Sequence, residues 1–246
     1  MKNLFIGLAG IGALCAAPPV TTTAIPDAAA LLKQSDGYRN AWPSFIAKIK
    51  ISNFETGKQD EEHAYLVYSR GSEKVYVDFQ SPQEKGRHLL MLGDDMWIYL
   101  PDTSRAVRIT PLQRLTGNAS NGDVARTNYA ADYDATYLRR ETVDGVDCHV
   151  LELEAKRKGA TYHKIEYWLR ADNARPVKAD LFVISGKMIK STTFDQYQEV
   201  GGHTLIKQMT IVDDLRKNSR SVIDYLQFAP RDLPDKMFHQ TRAGDL

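Results

Sequence analysis

With 246 residues, 43% of them hydrophobic and 26% charged, and a mean hydropathy of −0.40, the chain has the makings of a folded soluble protein with a large core in one or at most two domains. Its 32 basic and 31 acidic side chains are in balance. That argues against a nucleic-acid partner, which leaves a cationic footprint, and against attachment to a membrane by net charge.

The first segment is one expected to be removed. Lys2 precedes an apolar run from Leu4 to Ala17 and then a stretch of small residues, the order of a secretory signal peptide, and the run is too short to span a bilayer comfortably. Thr22, Thr23 and Ala24 offer small residues at the cleavage spacing. Residues 1–24 are therefore read as a leader and residues 25–246 as one mature domain. Lipid attachment at Cys15 is disfavoured, because Leu14 stands where that processing needs a small residue and Gly12 where it needs a leucine. Loss of the leader removes Lys2, leaving 31 cations against 31 anions, and leaves Cys148 as the only cysteine. An oxidising compartment then gives this chain no internal disulfide.

Residues 27–38 carry a short helix signal, with Asp27 as N-cap and Gly37 as stop. From there the pattern has period two. Strands are expected near 44–53, 62–70, 74–80, 87–92, 96–100, 105–110, 136–143, 147–156, 161–170, 176–184, 187–198, 203–213 and 219–228. Turn residues such as Arg70-Gly71-Ser72, Asp144-Gly145 and Gly201-Gly202 separate them. Links this short force antiparallel neighbours, so the expectation is a meander. Most strands alternate dry and wet: Val75, Val77 and Phe79 against Tyr76, Asp78 and Gln80, and Ile165, Tyr167 and Leu169 against Lys164, Glu166 and Arg170. A large sheet with one apolar face must curl over something. Strands 87–110 differ in being apolar on both faces, which calls for a second dry surface supplied by helices of the same chain or by a ligand.

One segment interrupts the strands. Thr110 as cap, Pro111 at the first helical position, Leu112 and Leu115 on one face and Gly117 as terminator predict a short helix, with a second beginning near Asp123. Residues 111–135 are read as a cover over the dry face.

Motifs for chemistry are sparse. The histidines, His63, His88, His149, His163, His203 and His239, have no metal-site spacing. Residues 117–134 are rich in oxygen donors, but the glycine is out of calcium-loop register and no glutamate ends the frame. No nucleophile elbow, phosphate loop or dinucleotide fingerprint occurs. The pairs Asp94-Asp95 and Asp213-Asp214 lie at hairpin ends, where solvated turns explain them. No enzyme activity, metal or cofactor is expected.

Signal peptide, N-terminal helix and antiparallel strands, with the runs 97-WIYLPDTSRAVRI-109, 113-QRLTGNASNGD-123, 132-DYDATYL-138 and 144-DGVDCHVLELEAK-156, resemble the LolA-like outer-membrane lipoprotein-sorting proteins of Gram-negative bacteria. The resemblance spans essentially the whole mature chain, and the WxYLP element with the loop behind it is its most specific part. It implies a mainly β fold with a few short helices: a strongly curved antiparallel sheet forming an unclosed half-barrel, covered by helices and enclosing a hydrophobic cavity for acyl chains. It favours a ligand at the second dry surface. At about 0.8 kcal/mol per methylene, exposing a chain of roughly sixteen carbons costs on the order of 10 kcal/mol, so a lipid in transit needs a portable dry cavity.

The function so implied is a periplasmic carrier that binds acylated cargo, lipoprotein or lipid, and shuttles it from an inner-membrane transporter to an outer-membrane acceptor. The expected cavity residues are Val77, Phe79, Leu90, Leu92, Trp97, Tyr99, Leu112, Leu115, Ile165, Tyr167, Leu181 and Met209. A lipid-sensing adaptor partnered with a membrane protein is the alternative use of the same cavity, and a secreted hydrolase with a site assembled by folding is a distant third.

Overall fold

The structure, a computed structural model, describes residues 25–101, 106–216 and 218–239. The expected leader lies outside them. Helix α1 (Ala28–Asp36) starts where Asp27 accepts hydrogen bonds from the N–H groups of Ala29 (2.9 Å) and Ala30 (3.1 Å), and it ends at Gly37. The strands then follow: β1 (Ser44–Glu55), β2 (Lys58–Arg70), β3 (Lys74–Phe79), β4 (His88–Leu92), β5 (Asp95–Tyr99) and β6 (Val107–Ile109). After the interruption come β9 (Tyr133–Val143), β10 (Val146–Ala155), β11 (Lys164–Arg170), β12 (Pro176–Phe182), β13 (Met188–Val200), β14 (His203–Asp213) and β15 (Ser219–Pro230). Every strand expected from period-two patterning is present.

These form one 13-stranded antiparallel sheet in the order β6-β5-β4-β3-β2-β1-β15-β14-β13-β12-β11-β10-β9. It is curved and unclosed, its edges β6 and β9 being unpaired with each other. The topology is more than a simple meander. Two meanders, β6–β1 and β15–β9, join where β1 pairs with β15 in register from Phe45↔Pro230 to Glu55↔Ser219. The chain leaving β6 at one edge must therefore cross to β9 at the other. That crossing is the cover.

The cover differs from expectation at its start. Residues 111–117 do not form a helix. Instead β7 (Arg114–Thr116) and β8 (Ala119–Ser120) make a small two-stranded sheet around Gly117, whose φ is +49°. A helix of one or two turns is marginal by itself. Here the backbone finds better partners: Asn121 N–H donates to the Gln113 carbonyl (2.9 Å), Gly122 N–H to the Pro111 carbonyl (2.8 Å) and Asn118 N–H to Ser221 Oγ (2.8 Å). Gly117 lies against Asn53, where a Cβ would come within 1.9 Å of Oδ1, so only glycine fits that turn. Helices α2 (Asn121–Ala125) and α3 (Tyr129–Asp132) follow, close to the second helix expected near Asp123.

The concave side holds the main core, in which Ile49, Ile51, Leu89, Met91, Met96, Leu151, Leu153, Ile165 and Tyr167 are fully buried beneath Leu32, Val124, Ala125 and Tyr129 of the helices. Each such aliphatic side chain contributes about 1.5–3 kcal/mol through burial. A separate cluster occupies the outer face of β3–β5. Tyr76, Leu90 and Tyr99 are buried there beneath Leu233 and Phe238, and Trp97, Leu92 and Met237 pack around them. Phe238 ends a 3₁₀ turn, Asp235–Phe238. The second dry surface of strands 87–110 is thus covered by the chain's own C-terminal segment.

Candidate functional site

The concave interior is closely packed with buried side chains among the described residues. Between sheet and cover remains a cavity of about 20 Å³, lined by Ala47, Ile49, Val67 and Val75 from the sheet, Val124, Ala125 and Thr127 from the cover, and Arg39 beyond α1. That is room for about one water molecule, far below the roughly 300–1,000 Å³ of a small-molecule site. The filling is aromatic: Tyr129 packs edge-on against Tyr167 (ring centroids 5.5 Å apart), Tyr167 against Phe194 (6.0 Å), and Tyr225 stacks on Phe228 (5.4 Å).

One cation sits among these rings. The Arg39 guanidinium lies over Tyr129 (5.1 Å) and Phe194 (5.2 Å) and approaches Met209 Sδ (3.5 Å). Burial alone would push its pKa down, but the surrounding Tyr129, Tyr225 and Tyr167 outweigh this and hold it above the ordinary arginine value. Among the described residues its Nε has no hydrogen-bond partner.

The cover is fastened at its rim by polar contacts. Asp36, at the end of α1, accepts from the N–H groups of Tyr129 (2.9 Å) and Ala130 (2.7 Å), capping the start of α3 from across the chain. Burial pushes the Asp36 carboxyl up to about 7 against the opposing pull of those two bonds and of Arg39. Asp123 accepts from Ser120 N–H and from the Tyr162 hydroxyl, both at 2.8 Å, and the buried Lys190 ammonium lies 3.7 Å from it. Arg126 and Asp132, both buried, form a two-pronged ion pair (2.9 and 2.6 Å), and Arg126 also donates to the Gly93 carbonyl (2.7 Å).

The same corner ties the two meanders together. Arg157, in the loop between β10 and β11, pairs with Glu73 after β2 and with Asp94 after β4 (2.8 Å to Asp94). The loop comes close enough that a Cβ on Gly159 would lie 2.7 Å from the Asp94 backbone. The mouth of the half-barrel is therefore clasped by charges around a dry interior.

Of the twelve residues expected from sequence, Val77, Phe79, Ile165, Tyr167, Leu181 and Met209 share the concave core, and Leu115 is half-buried against it. None of the twelve lines the small cavity itself. Leu90, Leu92, Trp97 and Tyr99 are corrected to the outer face, under Leu233 and Phe238. Period two assigns residues to opposite faces but does not say which face is concave. Leu112, expected on a buried helix face, is 39% exposed, because the segment carrying it is a turn. Sequence reasoning missed Asp36, Arg39, Arg126 and Asp132. A carboxylate just before a helix stop and an Arg–Asp pair within α2–α3 were visible, but their partners are remote in sequence. Among the described residues no group of three or more His, Cys, Asp or Glu could hold a metal ion, and no helix is long and apolar enough to cross a membrane.

No curated protein matches the chain by sequence. A family model described as "uncharacterized protein" matches residues 71–242. Among solved structures, a LolA superfamily protein from Nitrosomonas europaea is 33% identical, with a TM-score of 0.82 over 87% of this chain and 99% of that one. Two more distant structures share the fold. A DUF1329 family protein from Desulfovibrio piger has 23% identity and a TM-score of 0.74 over 87% of this chain and 96% of its own. A domain assigned to outer-membrane lipoprotein sorting, from Vibrio parahaemolyticus, has 18% identity and a TM-score of 0.74 over 88% of this chain and 98% of its own. With 33% identity and a TM-score of 0.82 across nearly the whole of the Nitrosomonas protein, this chain belongs to the LolA superfamily.

Proposed function

We propose that the protein is a periplasmic carrier that takes an acylated cargo, lipoprotein or lipid, into its concave interior and passes it between an inner-membrane transporter and an outer-membrane acceptor, without covalent chemistry. The observation that carries this reading is the contrast between a dry concave interior and a cover fastened at its rim by Asp36, Asp123, Arg126 and Asp132. Water can replace each of those polar ties when the cover lifts, and the exposed interior then gains from an apolar chain. Edge-packed rings and the flexible Met209 side chain can rearrange around a guest. Arg39 Nε, unpartnered in the closed interior, offers a donor to an ester or amide oxygen at the head of an acyl chain. Membership of the LolA superfamily and the expected leader support the same reading.

The test is direct. Protein purified from its native compartment is extracted with organic solvent, and the extract is analysed by mass spectrometry, with stoichiometric lipid as the expected result. A fluorescent fatty-acid analogue should bind in the micromolar range and be displaced by lipid. Binding no stronger than to an unrelated soluble β-protein would sink the carrier reading.

A further inference from the structure

The chain's overall neutrality hides a local imbalance. A groove opens where the loop between β10 and β11 meets the hairpin turn between β12 and β13, beside the turn that carries Leu112. Its floor is Ala155, Ala160 and Tyr162, residues that also pack against the concave core, so the groove is an outward continuation of the dry interior. Its apolar walls are Leu112, Val183 and Ile184. Ile184, at the hairpin tip, is 84% exposed, the most exposed large apolar side chain among the described residues. Solvent leaves such a β-branched side chain out only at a cost, and a rimmed apolar patch of this kind marks an interaction surface.

The charged side chains that line it carry one sign. Lys156, Arg157, Lys158 and His163 line the groove, no acid does, and Lys187 flanks the hairpin tip. Lys156 pairs with Asp134, and Arg157 with Glu73 and Asp94. Lys158 and Lys187, both exposed, make no ion pair among the described residues. The next hairpin at the same end of the sheet, after β14, exposes Leu215 between Asp214 and Arg216, so acids and bases mix there, whereas no acid lines this groove. Apolar tips between free lysines match a bilayer surface rich in anionic lipid, since the tips enter the acyl boundary while the ammonium groups remain among phosphates.

We propose that this groove docks the protein on anionic phospholipid bilayers, with Ile184 and Leu112 inserting and Lys158 and Lys187 contacting headgroup phosphates. Docked this way, the floor of the groove presents the edge of the interior to the membrane. The proposal deepens the carrier reading and rests on it for its purpose, while its test is independent of it.

The experiment measures co-sedimentation of the purified protein with vesicles of phosphatidylcholine alone or of phosphatidylcholine with phosphatidylglycerol, at low and high salt. Wild-type protein should bind the anionic vesicles, bind neutral ones at least tenfold more weakly, and lose binding as salt rises. Ile184→Asp should weaken binding to anionic vesicles at least tenfold, and the double variant Lys158→Glu, Lys187→Glu should abolish the preference for them. Both variants should unfold at the wild-type temperature and take up the fatty-acid probe in solution as wild type does. Equal binding to both vesicle types, no binding to either, or variants that bind like wild type would each overturn the proposal. Vesicle binding without probe uptake would leave the docking surface standing and remove the carrier reading instead.

Discussion

Strands β3–β5 are covered on both faces by segments that are not part of the sheet, and the two covers are held by different physics. On the concave face α1–α3 sit over an apolar core, but their fastenings are buried polar groups: Asp36 on the Tyr129 and Ala130 amides, Arg126 on Asp132, Asp123 on Tyr162. On the outer face the C-terminal segment is held chiefly by Leu233 and Phe238 in an apolar cluster, with Arg70 donating to the Leu233 carbonyl (3.1 Å) and Arg70 and Lys74 pairing with Asp235 at the exposed margin. Polar fastenings can trade partners with water at small net cost once wetted. Apolar ones cannot. The first arrangement suits a lid and the second a plug.

The strongest way to break this contrast is at Arg126. Asp132→Ala leaves a buried guanidinium without its partner and should cost about 3–5 kcal/mol in urea unfolding, with faster probe exchange. Replacing both partners, Arg126→Met with Asp132→Leu, should recover most of that stability. A single variant as mild as the double would show that the pair does not fasten the cover. On the outer face Phe238→Ala should cost about 3 kcal/mol by opening a cavity, yet leave probe exchange at the wild-type rate. Altered exchange there would mean that the outer cluster is part of the gate.

Asp36 sharpens the comparison through pH. Its carboxyl, raised by burial to about 7 from the unfolded 3.8, keeps a proton in the folded state that the unfolded chain releases. Its contribution to stability is therefore complete below about 4 and lost as pH rises towards 7, on the order of a few kcal/mol in all. His88 and His149, pushed down chiefly by burial, act in the opposite sense just below 6.5. The quantity to measure is the pH dependence of the difference between wild type and Asp36→Asn, which keeps one of the two acceptor oxygens and cannot ionise. That difference should decline from pH 4 to 7, and a flat or rising difference would contradict the assignment. The smallest effect belongs to the half-exposed clasp. Arg157→Gln should lower stability by under about 1 kcal/mol at low salt and by nothing measurable at high salt.

Thirteen strands were legible because alternation and turn chemistry are local properties. Val75, Val77 and Phe79 announce a strand whatever lies elsewhere in the chain. What lay beyond reach depended on partners far away. The helix expected at 111–117 had a cap, a proline and a terminator, but Asn118 is held by Ser221 and Thr116 by Asn53, more than a hundred and more than sixty residues away in sequence, and these outbid a short helix. The two-sided apolarity at Leu90, Trp97 and Tyr99 calls for a second dry surface, but nothing near them identifies Leu233 and Phe238 as its source, and the assignment of these residues to a ligand cavity fails for that reason. The signal existed: Leu233, Met237 and Phe238 stand out in an otherwise polar tail. The fastenings of the cover were the least legible, since a buried aspartate looks like any other aspartate until its surroundings are known.

The pairing of β1 with β15 places the first and last strands of the sheet side by side at its centre. As the chain is made, each meander can zip up from its own hairpins, but β1 and β14 keep open edges until residues 219–230 arrive to lie between them. Closing a contact across nearly the whole chain is entropically slow. Through that interval the molecule carries two long unpaired edges and an uncovered apolar face, the features that invite pairing with other chains. A chain wired this way commits to its final shape only once residues 219–230 have taken their place between the two halves.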